Sequence, residues 1–139
     1  MRAGPRPADR PVVCVIDDDP SMRRSLARLL RVSEWSVHTF ASAEAFLARL
    51  EKLSSSILVV DIQLSGMTGL ELLQRLQELG VSWPAIAMSA SDDDSVEVRA
   101  LQLGARMFLH KPFDPNVLLE ALAEMARSSN GNSMRSCGK

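Results

Sequence analysis

Four places in this 139-residue chain carry side chains that could do chemistry together: the run Asp17-Asp18-Asp19, then Asp61, Ser89 and Lys111. Each follows a short apolar run. Val12-Val13-Cys14-Val15-Ile16 leads into the three aspartates, Ile57-Leu58-Val59-Val60 into Asp61, Pro84–Met88 into Ser89, and Arg106–Leu109 into His110-Lys111. Such runs, bounded by turn residues, read as strands buried on both faces of a parallel sheet. Ligands of open α/β sheets bind outside the carboxyl ends of the strands. All four places therefore belong to one edge. Asp17, Asp18 and Asp61 repel one another in a partly desolvated crevice unless something compensates them. A hard divalent cation does so, and Mg²⁺ takes carboxylates, waters and phosphate oxygens. Ser89 adds a hydroxyl donor and Lys111 a compact positive charge, which is what a phosphoryl group on a carboxylate requires.

Each residue also has a plainer reading. Asp17–Asp19 would merely end a strand and cap a helix, Asp61 and Ser89 would be turn residues, and Lys111 a solvated charge. Their joint placement, each at the end of a different strand in one register, favours the site over the plain readings.

The elements that would position them alternate along the chain. Pro20 suits the first position of a helix with Asp19 as its N-cap, and Met22, Leu26, Leu29 and Leu30 recur at helical spacing through about Arg31. Ser36–Phe40 reads as a second strand, and Ser42 caps a helix carrying Ala45, Phe46, Leu47 and Leu50. After the strand ending at Asp61 comes a glycine-containing loop. Thr68-Gly69-Leu70-Glu71 then forms a capping box for a helix that stops at Gly80. Asp92, Asp93 and Asp94 load the first turn of a helix running to Gly104. Asp114 and Pro115 open a last helix with Val117, Leu118, Ala121, Leu122 and Met125 as its apolar stripe. Five strands alternating with five helices imply an α/β fold: a doubly wound five-stranded parallel sheet, order 2-1-3-4-5, flavodoxin-like (βα)5.

Composition sets the frame. Hydrophobic content of 46%, charged content of 24% and a net charge of −1 suit one ordinary globular domain. The termini are basic and the middle is acidic, near −6. Residues 1–11 read as a mobile leader, 12–126 as the domain and 127–139 as a disordered tail or linker. Cys14 sits in a strand and Cys137 in the tail, with no metal or redox spacing. No signal peptide or membrane-length apolar run is found, so a cytoplasmic protein without a membrane partner is expected.

The residues Val15-Ile16-Asp17-Asp18-Asp19-Pro20, Val59-Val60-Asp61 with Gly69, Ser89-Ala90, Gly104-Ala105 and Lys111-Pro112-Phe113 resemble the receiver (phosphoacceptor) domain of two-component response regulators. The resemblance covers about Val12 to Met125, and Ser42-Ala43-Glu44-Ala45-Phe46-Leu47 looks most like the FixJ-like group. It implies a switch rather than an enzyme, one that catalyses only its own phosphorylation and dephosphorylation. Asp61 would accept the phosphoryl group from a sensor histidine kinase. Asp18 and Asp61 would hold Mg²⁺ through their side chains, Gln63 through its backbone carbonyl and Asp17 through water. Lys111 would pair with the acceptor and then with the phosphoryl oxygens. Ser89 would shift toward the phosphate and Phe108 turn inward behind it. That movement would change the face made by helix 4, strand 5 and helix 5, and promote dimerisation. The Lys111–Pro112 bond resembles the family's cis peptide.

The chain departs from the family pattern at Ser65, where many receivers have proline, which implies a looser loop after Asp61. Gln63 and Ser91 occupy positions that tune phosphate lifetime in the family. No second domain is expected after Met125, so direct DNA binding is not expected of this chain, although a DNA-binding output domain would follow if it belongs to a longer regulator. Two alternatives stand beside this reading. Asp17-x-Asp19-x-Ser21 superficially resembles the nucleophile motif of haloacid dehalogenase-type Mg²⁺ phosphatases, with Asp17 as nucleophile and Asp19 as acid/base; that leaves Asp61 without a role. The other is a degenerate, non-phosphorylated interaction module.

Overall fold

The computed structural model describes the backbone of residues 10–138 and the side chains of residues 10–128. In chain order the elements are β1 (Val12–Ile16), α1 (Pro20–Val32), β2 (Val37–Phe40), α2 (Ala43–Arg49) with a 3₁₀ turn at Leu50–Lys52, and β3 (Ser56–Asp61). There follow α3 (Gly69–Glu78), β4 (Ala85–Ser89), α4 (Asp94–Gln102), β5 (Met107–His110) and α5 (Pro115–Gly138). All strand pairs are parallel, and the sheet order is β2-β1-β3-β4-β5. This is the doubly wound order expected from the alternation.

The sheet is buried on both sides because successive strand residues point to opposite faces. Cys14, Ile16, Leu58, Val60, Ala85 and Ala87 pack against Phe46 of α2, Leu72, Leu73 and Leu76 of α3, and Ala100 of α4. Val13, Val15, Ile57, Val59, Ile86 and Met88 pack against Leu26 and Leu30 of α1 and Leu118, Leu122 and Met125 of α5. Three helices thus cover one face and two the other.

The helix starts follow their capping residues. Asp19 accepts from the Ser21 N–H with Pro20 in the first turn, and Ser42 accepts from Ala45. Thr68 and Glu71 form the full capping box. In the fourth helix Asp93 is itself the N-cap, accepting from Ser95, so only Asp94 of the three aspartates lies in the first turn. A short side chain one residue ahead of the helix satisfies a free N–H that a helical aspartate cannot reach. β2, β4 and β5 each begin one residue later than their apolar runs suggest.

The ends differ from expectation in two respects. The leader expected over 1–11 falls for residues 1–9 outside the described residues, but Arg10 is fixed: its guanidinium lies 4.4 Å from the Trp35 ring centroid and donates to the Ser33 carbonyl at 2.9 Å. At the other end the backbone stays helical to Gly138, past the Arg127 boundary expected for a disordered tail. No proline interrupts this stretch, although its serines, asparagines and glycines are weak helix formers. Among the described residues, the last of α5 packed in the core are Met125 and Ala126. Among the described residues, no helix is long and apolar enough to cross a membrane.

Candidate functional site

The register fixes where the chemistry-bearing residues stand. Ile16 pairs with Val60, Asp61 with Met88 and Ser89 with His110, so the residues that follow leave the sheet along one edge. Asp17 and Asp61 are buried, Asp18 is half-buried, and one carboxylate oxygen from each lies within 4.8 Å of the others. Lys111 reaches both buried acids, with Nζ 3.1 Å from Asp17 Oδ2 and 3.1 Å from Asp61 Oδ2. The second oxygen of each is held locally. Asp17 Oδ1 accepts from the Asp19 N–H and Asp61 Oδ1 from the Gln63 N–H, both at 2.9 Å.

Burial pushes the Asp17 carboxyl up from its ordinary value, against the Asp19 N–H and Lys111, which favour the charged form. For Lys111, burial opposes the ammonium, but its hydrogen bonds to Asp61 and Asp17 outweigh that and raise it. The lysine is therefore firmly charged, yet a single positive charge faces three acids. A cluster of three carboxylates offering only oxygen donors, under-compensated and with one member open to solvent, fits a hard divalent cation.

The loop from Ile62 to Thr68 is pinned from three sides. Gln63 Oε1 accepts from the Ala90 N–H at 3.2 Å, tying the loop to the one that follows β4. Ser65 donates from both its N–H and its hydroxyl to Asp18 Oδ2, each at 3.0 Å. The Glu44 carboxylate of α2 accepts from the Met67 N–H at 2.9 Å, which lowers its pKa. The looser loop expected from a serine in place of proline is thus not what the geometry shows, because serine supplies two donors where proline has neither. Gly69 begins α3 close against the backbone at the end of β3. A Cβ there would stand 2.6 Å from the Asp61 carbonyl oxygen, so only glycine allows that approach.

Ser89 is buried, and its hydroxyl accepts from the Ser91 N–H at 3.0 Å. Phe108 is half-buried and meets the His110 ring edge-on at 5.0 Å between centroids. His110 is exposed, with Nε2 3.3 Å from Glu97 Oε1 on α4. The Lys111–Pro112 peptide is cis. The expected acids and the lysine are brought together, and Ser89 lies at the end of the neighbouring strand. Sequence reasoning missed Ser65 and Glu44, as well as Arg23, which donates to the Asp17 carbonyl at 2.8 Å. In this loop the sequence points to Gln63 and marks Ser65 only as a departure from proline, without the contact it makes.

Residues 13–123 match the response regulator receiver domain. The chain is 41% identical over 118 residues to the transcriptional regulatory protein FixJ of Azorhizobium caulinodans, covering 84% of this chain and 56% of that protein. It is 36% identical over 110 residues to FixJ of Rhizobium meliloti, covering 79% of this chain and 54% of that protein. It therefore spans about half the length of the curated relatives it matches. A crystal structure of FixJ-N superposes with a TM-score of 0.78 at 33% identity, covering 92% of this chain and 96% of that one.

Proposed function

The chain belongs to the response regulator receiver domain family, the phosphorylation-activated switches of two-component signalling, and from that premise we propose how its own residues do the work. Asp61 is the phosphoryl acceptor. The observation that carries this is the placement of Lys111 Nζ, 3.1 Å from both Asp61 and Asp17 in a three-carboxylate cluster. In the transfer, an Asp61 oxygen forms the new P–O bond as the P–N bond of a kinase phosphohistidine breaks, and the imidazole leaves with the electron pair and takes up a proton. Lys111 holds Asp61 in place and then neutralises charge on the phosphoryl oxygens.

Asp18 and Asp61 would hold Mg²⁺ directly, with the Gln63 carbonyl as a further oxygen and Asp17 acting through water. The ion supplies charge neutralisation at the transferring group. The new phosphoryl group adds roughly −1.5 to −2 charges and strong acceptor oxygens. Ser89 exchanges its Ser91 partner for that acceptor, and Phe108 follows into the vacated space. The face formed by α4, β5 and α5 then changes, which controls a homodimer or a DNA-binding output domain of a longer regulator. The domain proper extends over 12–126, and the cytoplasm, where a sensor kinase presents its phosphohistidine, is its place of action.

The test is intact mass after exposure to a small phosphodonor, with and without Mg²⁺, in wild type and Asp61→Asn. A Mg²⁺-dependent gain of one phosphoryl group that disappears in Asp61→Asn is expected. Labelling that survives Asp61→Asn and is lost in Asp17→Asn would instead identify the phosphatase-like chemistry.

A further inference from the structure

The three carboxylates are not held alike. Asp17 and Asp61 each have one oxygen on Lys111 and the other on the backbone N–H two residues ahead. For Asp18 the residue two ahead is Pro20, which has no N–H to give. The donors missing locally come from 47 residues away, where Ser65 places its N–H and hydroxyl on the same oxygen, Oδ2. Both contacts leave Oδ1 without a bond among the described residues. Ser65 is itself presented from a loop anchored on either side, by Gln63 on Ala90 and by Glu44 on Met67.

We propose that Ser65 is a positioning residue for the cation site: it fixes the solvent-facing Asp18 carboxylate from across the crevice, so that Oδ1 is oriented before the ion arrives. The inference rests on the divalent-cation reading above. A half-buried aspartate with neither a lysine nor a local amide would otherwise sample several rotamers, and the ion would have to order it at its own expense in affinity. Groups that orient a metal ligand from behind are worth about ten-fold or more in affinity, and an exposed contact belongs at the low end.

Mg²⁺ binding to the full chain, followed by titration calorimetry without any phosphodonor, tests this. Ser65→Ala keeps the N–H and loses the hydroxyl, Ser65→Pro loses both, and Ser65→Thr keeps both. The dissociation constant should rise about three-fold in Ser65→Ala and about ten-fold in Ser65→Pro, and stay within about two-fold in Ser65→Thr. Thermal melts in the absence of Mg²⁺ establish that each variant is folded, and Ser65→Ala carries the test alone if the proline variant is not. Equal or tighter binding in Ser65→Ala would overturn the role of Ser65 while leaving the cation site standing. No Mg²⁺ binding by wild type would overturn the cation reading, and this inference with it.

Discussion

Lys111 is the residue on which the resting site depends most. Its ammonium is the shared partner of two buried carboxylates, and its own side chain is only 18% exposed. Removing one partner of a buried ion pair leaves uncompensated charge, which costs about 3–5 kcal/mol when burial is complete. Partial access to water puts Lys111→Ala at about 3 kcal/mol, near the bottom of that range. Mg²⁺ should restore part of the loss, because a divalent cation offsets the same repulsion and stabilises by mass action. Denaturant unfolding of wild type and variant, with and without Mg²⁺, measures both effects; a variant as stable as wild type in Mg²⁺-free buffer would mean the acids are compensated elsewhere. That Asp17, Asp18, Asp61 and Lys111 converge was legible in the sequence, since each ends an apolar run and parallel strands deliver their ends to one edge. The grips of Ser65 on Asp18 and of Glu44 on Met67 were not. Both use backbone N–H groups of a loop, and side-chain types do not reveal the path of a loop.

At the scale of elements, capping explains most of what could be read and also where the reading slipped. Asp19, Ser42 and Thr68 start their helices as expected, Asp19 because Pro20 marks the first helical position behind it, Ser42 and Thr68 because each is a lone capping residue before an apolar period. Asp92-Asp93-Asp94 read as first-turn residues, whereas the geometry makes Asp93 the N-cap. Its Oδ1 accepts from the Ser95 N–H at 2.9 Å and the Ser95 hydroxyl at 2.7 Å. These bonds favour the charged form and lower its pKa from the ordinary 3.8. A carboxyl whose folded pKa is depressed contributes stability above the unfolded value and loses it as pH falls through the folded one. The α4 cap should therefore be intact above pH 3.8 and weaken below it. The Ser95 amide shift in NMR should titrate below that value in wild type and stay flat in Asp93→Asn. A midpoint at or above 3.8 would contradict the cap as the cause. The continuation of α5 to Gly138 was not legible, because the apolar stripe read from the sequence stops at Met125 and the serines, asparagines and glycines beyond it are weak helix formers.

For the molecule as a whole, both faces of the sheet are covered, so a change at the phosphoryl edge can leave only through an outer surface. Such a route runs from Ser89 to His110, its partner in the β4–β5 register, which meets the Phe108 ring and reaches Glu97 on α4. If Phe108 turns inward behind Ser89, it leaves the edge of the His110 ring and frees His110 to change its contact with Glu97 on α4. The same helix exposes Val98 at 53% and Leu101 at 43%. Two apolar side chains fall far short of the roughly 1,600 Å² that a stable interface buries, so this surface should not hold two copies together at rest. Phosphorylation is expected to complete it. Sedimentation velocity should then show one chain's mass in the resting protein and two after treatment with a phosphodonor and Mg²⁺. Leu101→Asp should take up the phosphoryl group normally, as read by intact mass, yet remain a single chain, because the charge would be buried unpaired at the centre of the contact. A phosphorylated wild type that stays monomeric would remove dimerisation from the mechanism. A Leu101→Asp variant that dimerises like wild type would move the interface off α4, and the Phe108–His110–Glu97 route would lose its endpoint.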